Sequence, residues 1–143
     1  MNRHTRPIQM TLLFLAILLP IASTAGVAAD ADSDGIPDVL DKCTLDSRNA
    51  TAPGTCDTDC DGYGNVCDAD FDQSGAVNAT DFTMYFIPTF KTGIDLGARG
   101  TDMDCAGAVN ATDFSMFFVP RFKLGLPAGP SGLACAGQPG CGC

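Results

Sequence analysis

Asp70 to Gly93 reads DFDQSGAVNATDFTMYFIPTFKTG, and Asp102 to Gly125 reads DMDCAGAVNATDFSMFFVPRFKLG. The two stretches lie 32 residues apart, and from Gly75 and Gly107 onward 14 of 19 positions are identical. Agreement of that density is an internal duplication. Each copy joins an acidic run, with Asp at alternate positions, to an apolar run punctuated by Phe. A loop followed by a helix, made twice, is therefore the frame on which the rest of the chain is placed.

The acidic runs have the spacing of a cation loop. Calcium is a hard cation that takes about six to eight oxygens. A twelve-residue loop supplies them from positions 1, 3, 5, 7 (a backbone carbonyl), 9 and 12, with Gly at position 6 for the turn. Four segments fit. Loop one is DADSDGIPDVLD, offering Asp30, Asp32, Asp34, the Ile36 carbonyl, Asp38 and Asp41. Loop two, DTDCDGYGNVCD, offers Asp57, Asp59, Asp61, the Tyr63 carbonyl, Asn65 and Asp68. Loop three, DFDQSGAVNATD, offers Asp70, Asp72, Ser74, the Ala76 carbonyl, Asn78 and Asp81. Loop four, DMDCAGAVNATD, offers Asp102, Asp104, the Ala108 carbonyl, Asn110 and Asp113, and Ala106 removes its position-5 oxygen.

These loops hold 15 of the 17 acidic residues, leaving only Asp46 and Asp95. The plain alternative is a set of Asp- and Gly-rich turns. Four segments in register, each with Gly at position 6 and Asp at position 12, argue against accident, and clustered carboxylates without a counter-charge repel one another. Calcium is the expected cofactor.

Composition agrees. All 17 acidic residues of the 143 are Asp and none is Glu, which points to loops rather than helices. The acidity argues against a nucleic-acid partner, since phosphate backbones demand clusters of Lys and Arg. Residues 1–29 read as an export signal: Arg3 and Arg6, the apolar run Thr11 to Ile21, then small residues ending Val27-Ala28-Ala29. As a membrane anchor the run is too short for roughly 30 Å of hydrocarbon, so no membrane insertion is expected after cleavage. Beyond it the chain carries six basic and 17 acidic residues, a net charge of −11.

Export places the eight cysteines (Cys43, Cys56, Cys60, Cys67, Cys105, Cys135, Cys141 and Cys143) in an oxidising compartment, where an even count reads as up to four disulfides. Eight Cys can pair in roughly 105 ways, and the sequence does not choose among them. A thiolate metal site at Cys135, Cys141 and Cys143 is the competing reading, weakened because the only histidine is His4, in the signal. The same lack of His, together with the lack of Glu, removes the usual base for nucleophilic catalysis, so the chain reads as no enzyme.

Helical spacing of Phe82, Tyr85, Phe86 and Phe90, repeated by Phe114, Phe117, Phe118 and Phe122, reads as a core. Pro88 and Pro120 predict short or kinked helices, and Gly93 and Gly125 suit chain reversal. Val77 and Val109, at position 8, predict a short strand exchange pairing loop three with loop four. Pro37 blocks this in loop one, so loops one and two are expected as a string. Asn49, Asn78 and Asn110 each begin an N-glycosylation triplet. The last two read as ligands and helix starts. The Gly- and Pro-rich segment from Pro127 to Cys143 reads as a disulfide-pinned linker.

Loops one and two resemble bacterial thrombospondin type 3 repeats, and loops three and four resemble the duplicated type I dockerin module, an EF-hand-like pair of loop-helix units. The resemblance covers roughly residues 30–125. It implies a small, mostly irregular calcium- and disulfide-stabilised protein with short α-helices. The divisions are a signal at 1–29, thrombospondin-like loops at 30–68, a dockerin-like module at 69–126 and a tail at 127–143. Dockerins dock onto cohesins and often tether polysaccharide-degrading enzymes. Their recognition positions fall here on Ala79, Thr80, Ala111 and Thr112, then Phe86, Ile87, Lys91, Phe118, Val119 and Lys123. Two roles follow: a secreted structural calcium module of the cell exterior, or a docking module for a cohesin-like or other cell-surface protein.

Overall fold

The computed structural model describes residues 28–49 and 56–143. The expected export signal lies outside them, apart from Ala28 and Ala29. Two helical runs, 79–92 (α1) and 111–124 (α2), carry nearly all the regular structure. The remainder is turns, with single 3₁₀ turns at Asp38–Leu40, Ser47–Asn49 and Asn65–Cys67. Among the described residues the one β contact is an isolated bridge between Asp61 and Cys141. No helix among them is long and apolar enough to cross a membrane.

Each helix starts at an Asx cap. Asn78 Oδ1 accepts the Thr80 amide at 2.8 Å and Asn110 Oδ1 accepts Thr112 at 2.7 Å, satisfying a donor that the first turn leaves free. The prolines do not end the helices. Asp81–Phe86 and Asp113–Phe118 are π-helical and pass into α-helix at Ile87–Thr92 and Val119–Leu124. A proline in a regular helix offers no N–H and its ring strikes the carbonyl four residues back. A widened turn just before Pro88 and Pro120 accommodates this, with the Ile87 amide reaching Phe82 O. The distortion expected at proline is thus a π segment inside a continuing helix. Gly93 (φ 71°) and Gly125 (φ 59°) then close the helices in the left-handed conformation.

The expected strand exchange between Val77 and Val109 is absent. The Val77 amide donates to Leu126 O at 3.3 Å and the Val109 amide to Gly93 O at 3.0 Å. Each loop leans on the exit of the other repeat's helix, so α1 and α2 run antiparallel and loops three and four sit at opposite ends. Side-by-side loops would need parallel entry, which the Phe stack between the helices does not permit.

Phe86, Phe117 and Phe118 are buried, with Phe82, Tyr85 and Phe114 partly so. Phe71 and Met103, at position 2 of loops three and four, are wholly buried beneath them. The same core continues through Cys43, Val66, Cys67 and Ala69 under loops one and two. Those loops are therefore packed on the helical pair rather than strung out from it. Arg48 stacks on Phe117 at 4.3 Å and donates to Met116 O, and Arg99 stacks on Tyr85 at 4.7 Å and donates to Phe71 O.

All eight cysteines are in disulfides: Cys43–Cys67, Cys56–Cys105, Cys60–Cys143 and Cys135–Cys141. This excludes the thiolate site. The tail is a strap and not a linker. Thr44 donates to Pro130 O, Gly132 to Asp41 O, Gly137 to Asp61 O and Lys42 Nζ to Gly142 O, so the segment closes over loops one and two.

Candidate metal centre

The four acidic loops share one backbone. The position-4 residues Ser33, Cys60, Gln73 and Cys105 have φ of 63°, 61°, 55° and 55°, and the position-6 glycines Gly35, Gly62, Gly75 and Gly107 have φ of 92°, 91°, 93° and 95°. The latter value is reached at little cost only without a Cβ, which is why Gly recurs there. Two cysteines can stand at position 4 because the left-handed turn aims them outward, into the disulfides to Cys143 and Cys56.

This curl folds each position-1 carboxylate onto the following amides. Gly35, Gly62, Gly75 and Gly107 donate to Asp30, Asp57, Asp70 and Asp102 at 3.0, 3.0, 2.7 and 2.8 Å. The position-5 amides of Asp34, Asp61, Ser74 and Ala106 donate to the same four carboxylates. These amides fix the orientation of each position-1 carboxylate at the start of its loop.

Four groups of carboxylates converge, each with ligand oxygens within 4.8 Å of one another: Asp30, Asp32 and Asp34; Asp57, Asp59 and Asp61; Asp70, Asp72 and Asp81; Asp102, Asp104 and Asp113. The arrangement can hold a metal ion in every loop. Loops three and four close through position 12, where Asp81 accepts Asp72 and Asn78 amides and Asp113 accepts Asp104 and Asn110 amides. Loops one and two close through position 5 instead.

Several expected ligands stand outside these groups. Asp38 accepts the Ala31 amide at 2.7 Å. Asp41 is buried against Cys43 N and Asn49 Nδ2, and Asp68 against Asp70 N. Asn65 braces the core, accepting Thr58 N and donating to Asp102 O, so it ties loop two to loop four. Asn78 and Asn110 donate to the Ala76 and Ala108 carbonyls and cap the helices. Ser74 donates to Asp70 and to Ala76 O. Asp57 alone among the position-1 residues has a basic partner, Lys42 at 3.0 Å.

Burial shapes the charge. It pushes the Asp61 carboxyl up to about 6, with Asp59, Asp57 and Asp70 adding like charge. Asp68 is raised well above the ordinary range by the same burial and by Asp61. Desolvation likewise raises Asp32, Asp59, Asp81, Asp102 and Asp113. Asp72 is the exception, held low by the Ser74 hydroxyl. Carboxylates so crowded favour either protons or a cation. The groups contain oxygen donors alone, which suits a hard cation and not zinc.

Two contributors were invisible as site residues in the sequence. Gln73 spans loops two and three, donating to Asp59 and Asp61. Asn49 is 2% exposed, deep beside Asp41; its only sequence signal was a glycosylation triplet. Comparison with protein-family models, with curated proteins and with solved structures gives no match for the chain.

Proposed function

We propose that this protein is a secreted, non-catalytic structural module stiffened by calcium in its four acidic loops. The observation that carries the reading is the congruence of the loops: one backbone conformation four times, each with three carboxylates converging. A lone acidic triad is an ordinary surface feature; four of them, on loops that share the position-4 and position-6 turn, favour an ion. Calcium suits an all-oxygen set with carboxylates and carbonyls in a flexible loop. Four disulfides accord with an oxidising exterior.

Thermal melting with calcium against excess chelator tests this. At calcium 100-fold above its Kd, one site stabilises by about 2.7 kcal/mol. A domain of this size moves by about 4 °C or more per kcal/mol, so a drop beyond about 10 °C is expected. Superimposable curves sink the proposal.

One observation favours the docking role as a second reading. Two apolar grooves open along the helices, one at Phe86, Ile87, Phe90 and Lys91, the other at Phe118, Val119, Phe122 and Lys123. They contain the helix positions, though not Ala79, Thr80, Ala111 and Thr112, through which a dockerin-like module would contact a cohesin-like receptor. Binding of the calcium-loaded chain to a cohesin-like domain, lost in Lys91→Ala with Lys123→Ala, would establish it; no binding leaves the structural role.

A further inference from the structure

Loop one is surrounded by oxygens that have no donor. Oδ2 of Asp32, Asp34 and Asp41 and Oδ1 of Asn49 are buried without a hydrogen-bond partner, the only side-chain atoms so placed among the described residues. Asp41 and Asn49 are 1% and 2% exposed. A buried oxygen left unpaired costs the desolvation of that group, and native structures rarely tolerate even one. Here four occur together.

They form one connected set. Asp32 and Asp34 belong to the loop-one triad. Asp41 is the twelfth residue of the same loop, and its Cys43 and Asn49 contacts hold one of its oxygens. Asn49 Nδ2 donates to Asp41 Oδ1 at 2.5 Å, and each side chain keeps one oxygen free. The two nearby basic residues are engaged elsewhere. Lys42 binds Asp57 and Gly142 O, and Arg48 binds Asp46 and Met116 O while covering Phe117. A water brings only two hydrogens and no charge, which leaves part of this set unpaired and all three carboxylates uncompensated. A cation satisfies every member.

We infer that Asn49, eight residues beyond the last position of loop one, is a calcium ligand of that loop, giving Oδ1 to the ion while Nδ2 holds Asp41 so that its free oxygen faces the same ion. The inference rests on the calcium reading and deepens it. Asn carbonyls are ordinary calcium ligands and add an oxygen without adding charge. Asp41 stands outside the loop-one triad, and an ion lying between Asp32, Asp34, Asp41 and Asn49 brings the twelfth position of this loop back into play. Because Asn49 ends the 3₁₀ turn whose Arg48 sits on Phe117, occupancy of loop one then fixes that turn against α2.

The test is an NMR titration of the full, disulfide-bonded chain with calcium chloride. The amides of Gly35, Gly62, Gly75 and Gly107 each report one loop, since each donates to its own position-1 carboxylate. In the wild-type chain the Asn49 side-chain NH₂ and the Gly35 amide are expected to move along one binding curve. Asn49→Ala moves the Gly35 midpoint to about 10-fold higher calcium or beyond and leaves the other three glycines in place. Asn49→Asp, which restores an oxygen, recovers the Gly35 response. An unmoved Gly35 midpoint in folded Asn49→Ala overturns the inference and leaves the calcium reading standing. Four glycines that ignore calcium in the wild-type chain overturn both. Should Asn49→Ala fail to fold, the wild-type signal decides: an NH₂ that stays fixed while Gly35 titrates overturns the assignment.

Discussion

Phe86 and Phe118 stack with ring centroids 4.9 Å apart and planes 23° from parallel, and they are the same position of the two repeats. A duplicated unit that meets its copy at equivalent residues has closed on itself about a near two-fold axis, as identical surfaces in a dimer do. Phe71 from loop three stacks under the pair, at 6.3 Å from Phe86 and 5.9 Å from Phe118. The core therefore joins both helices to a residue lying between two loop carboxylates, so packing and loop geometry are coupled.

Phe118→Ala is expected to cost about 3–5 kcal/mol, the range for emptying a buried aromatic position, and Phe86→Ala a similar amount. Phe122 is 38% exposed, so Phe122→Ala should cost much less. Denaturant unfolding in saturating calcium measures all three. Equal costs at Phe118 and Phe122 would mean that the helices do not meet as described.

Loop four tests the ligand assignment. The Ala106 amide donates to Asp102 and Asp104 as the Ser74 amide does to Asp70 and Asp72, so the backbone is intact and only the position-5 oxygen is missing. Affinities are expected to fall from loops one and two, through three, to four, in the range of about 10⁻⁴–10⁻³ M of extracellular modules. Ala106→Asp supplies the oxygen on an exposed side and is expected to tighten loop four about 10-fold, read at the Gly107 amide. No gain there would count against position 5 as a ligand.

The loops and the aromatic spacing were legible in the sequence because both are local: Asp at alternate positions and Phe at helical intervals carry their meaning within a dozen residues. Relations between distant segments were not. Nothing near Val77 says that its amide will meet Leu126, since that depends on the direction in which the helices cross. Phe71 and Met103 stand between ligand positions, and only the curvature of the folded loop turns position 2 into the core. The tail's composition suggested a disulfide-pinned linker; the pinning is there at Cys60–Cys143, but backbone bonds to Thr44, Asp41 and Asp61 make the segment a strap.

The pH response is expected to reverse with calcium. Asp61, raised to about 6, and Asp68, raised further, bind protons more tightly folded than unfolded. An acid with a raised folded-state value adds stability as pH falls through that value towards its ordinary one near 3.8. In chelator, the melting temperature is therefore expected to rise between pH 7.5 and about 5. In calcium, protons compete for the same carboxylates, so affinity and melting temperature fall over that interval. Parallel curves in the two conditions would contradict the shared use of these groups.

The strap is expected to matter more to loops one and two than to the helical pair. Cys60–Cys143 closes a separation of 83 residues, and removing such a bridge costs about 2–4 kcal/mol through the unfolded chain. Cys60→Ser with Cys143→Ser should lower global stability by that amount. The loss of the Gly137–Asp61 and Lys42–Gly142 contacts adds a local effect. Hydrogen exchange is expected to quicken more at Tyr63 and Asn65 than at Phe86 and Phe118, which feel only the global loss. Uniform acceleration across both regions would show that the tail supports the whole molecule.

The start of the mature chain bears directly on loop one. Asp38 donates its amide to Ala29 O at 2.7 Å, and Ala31 donates back to Asp38 Oδ1 at 2.7 Å, so the residue before Asp30 already closes the loop's rim. If the proposed signal is cut after Ala28, that carbonyl survives. A cut after Ala29 removes it and places an α-amino group on Asp30, the position-1 carboxylate, beside the ion. Repulsion there favours the neutral amine and weakens the ion. The form starting at Ala29 is therefore expected to bind calcium in loop one more tightly than the form starting at Asp30, by the Gly35 titration, with the other loops unchanged. N-terminal sequencing of the exported protein then tells which form is made. A start at Asp32 or beyond would leave loop one without its first ligand and would exclude it as a complete site.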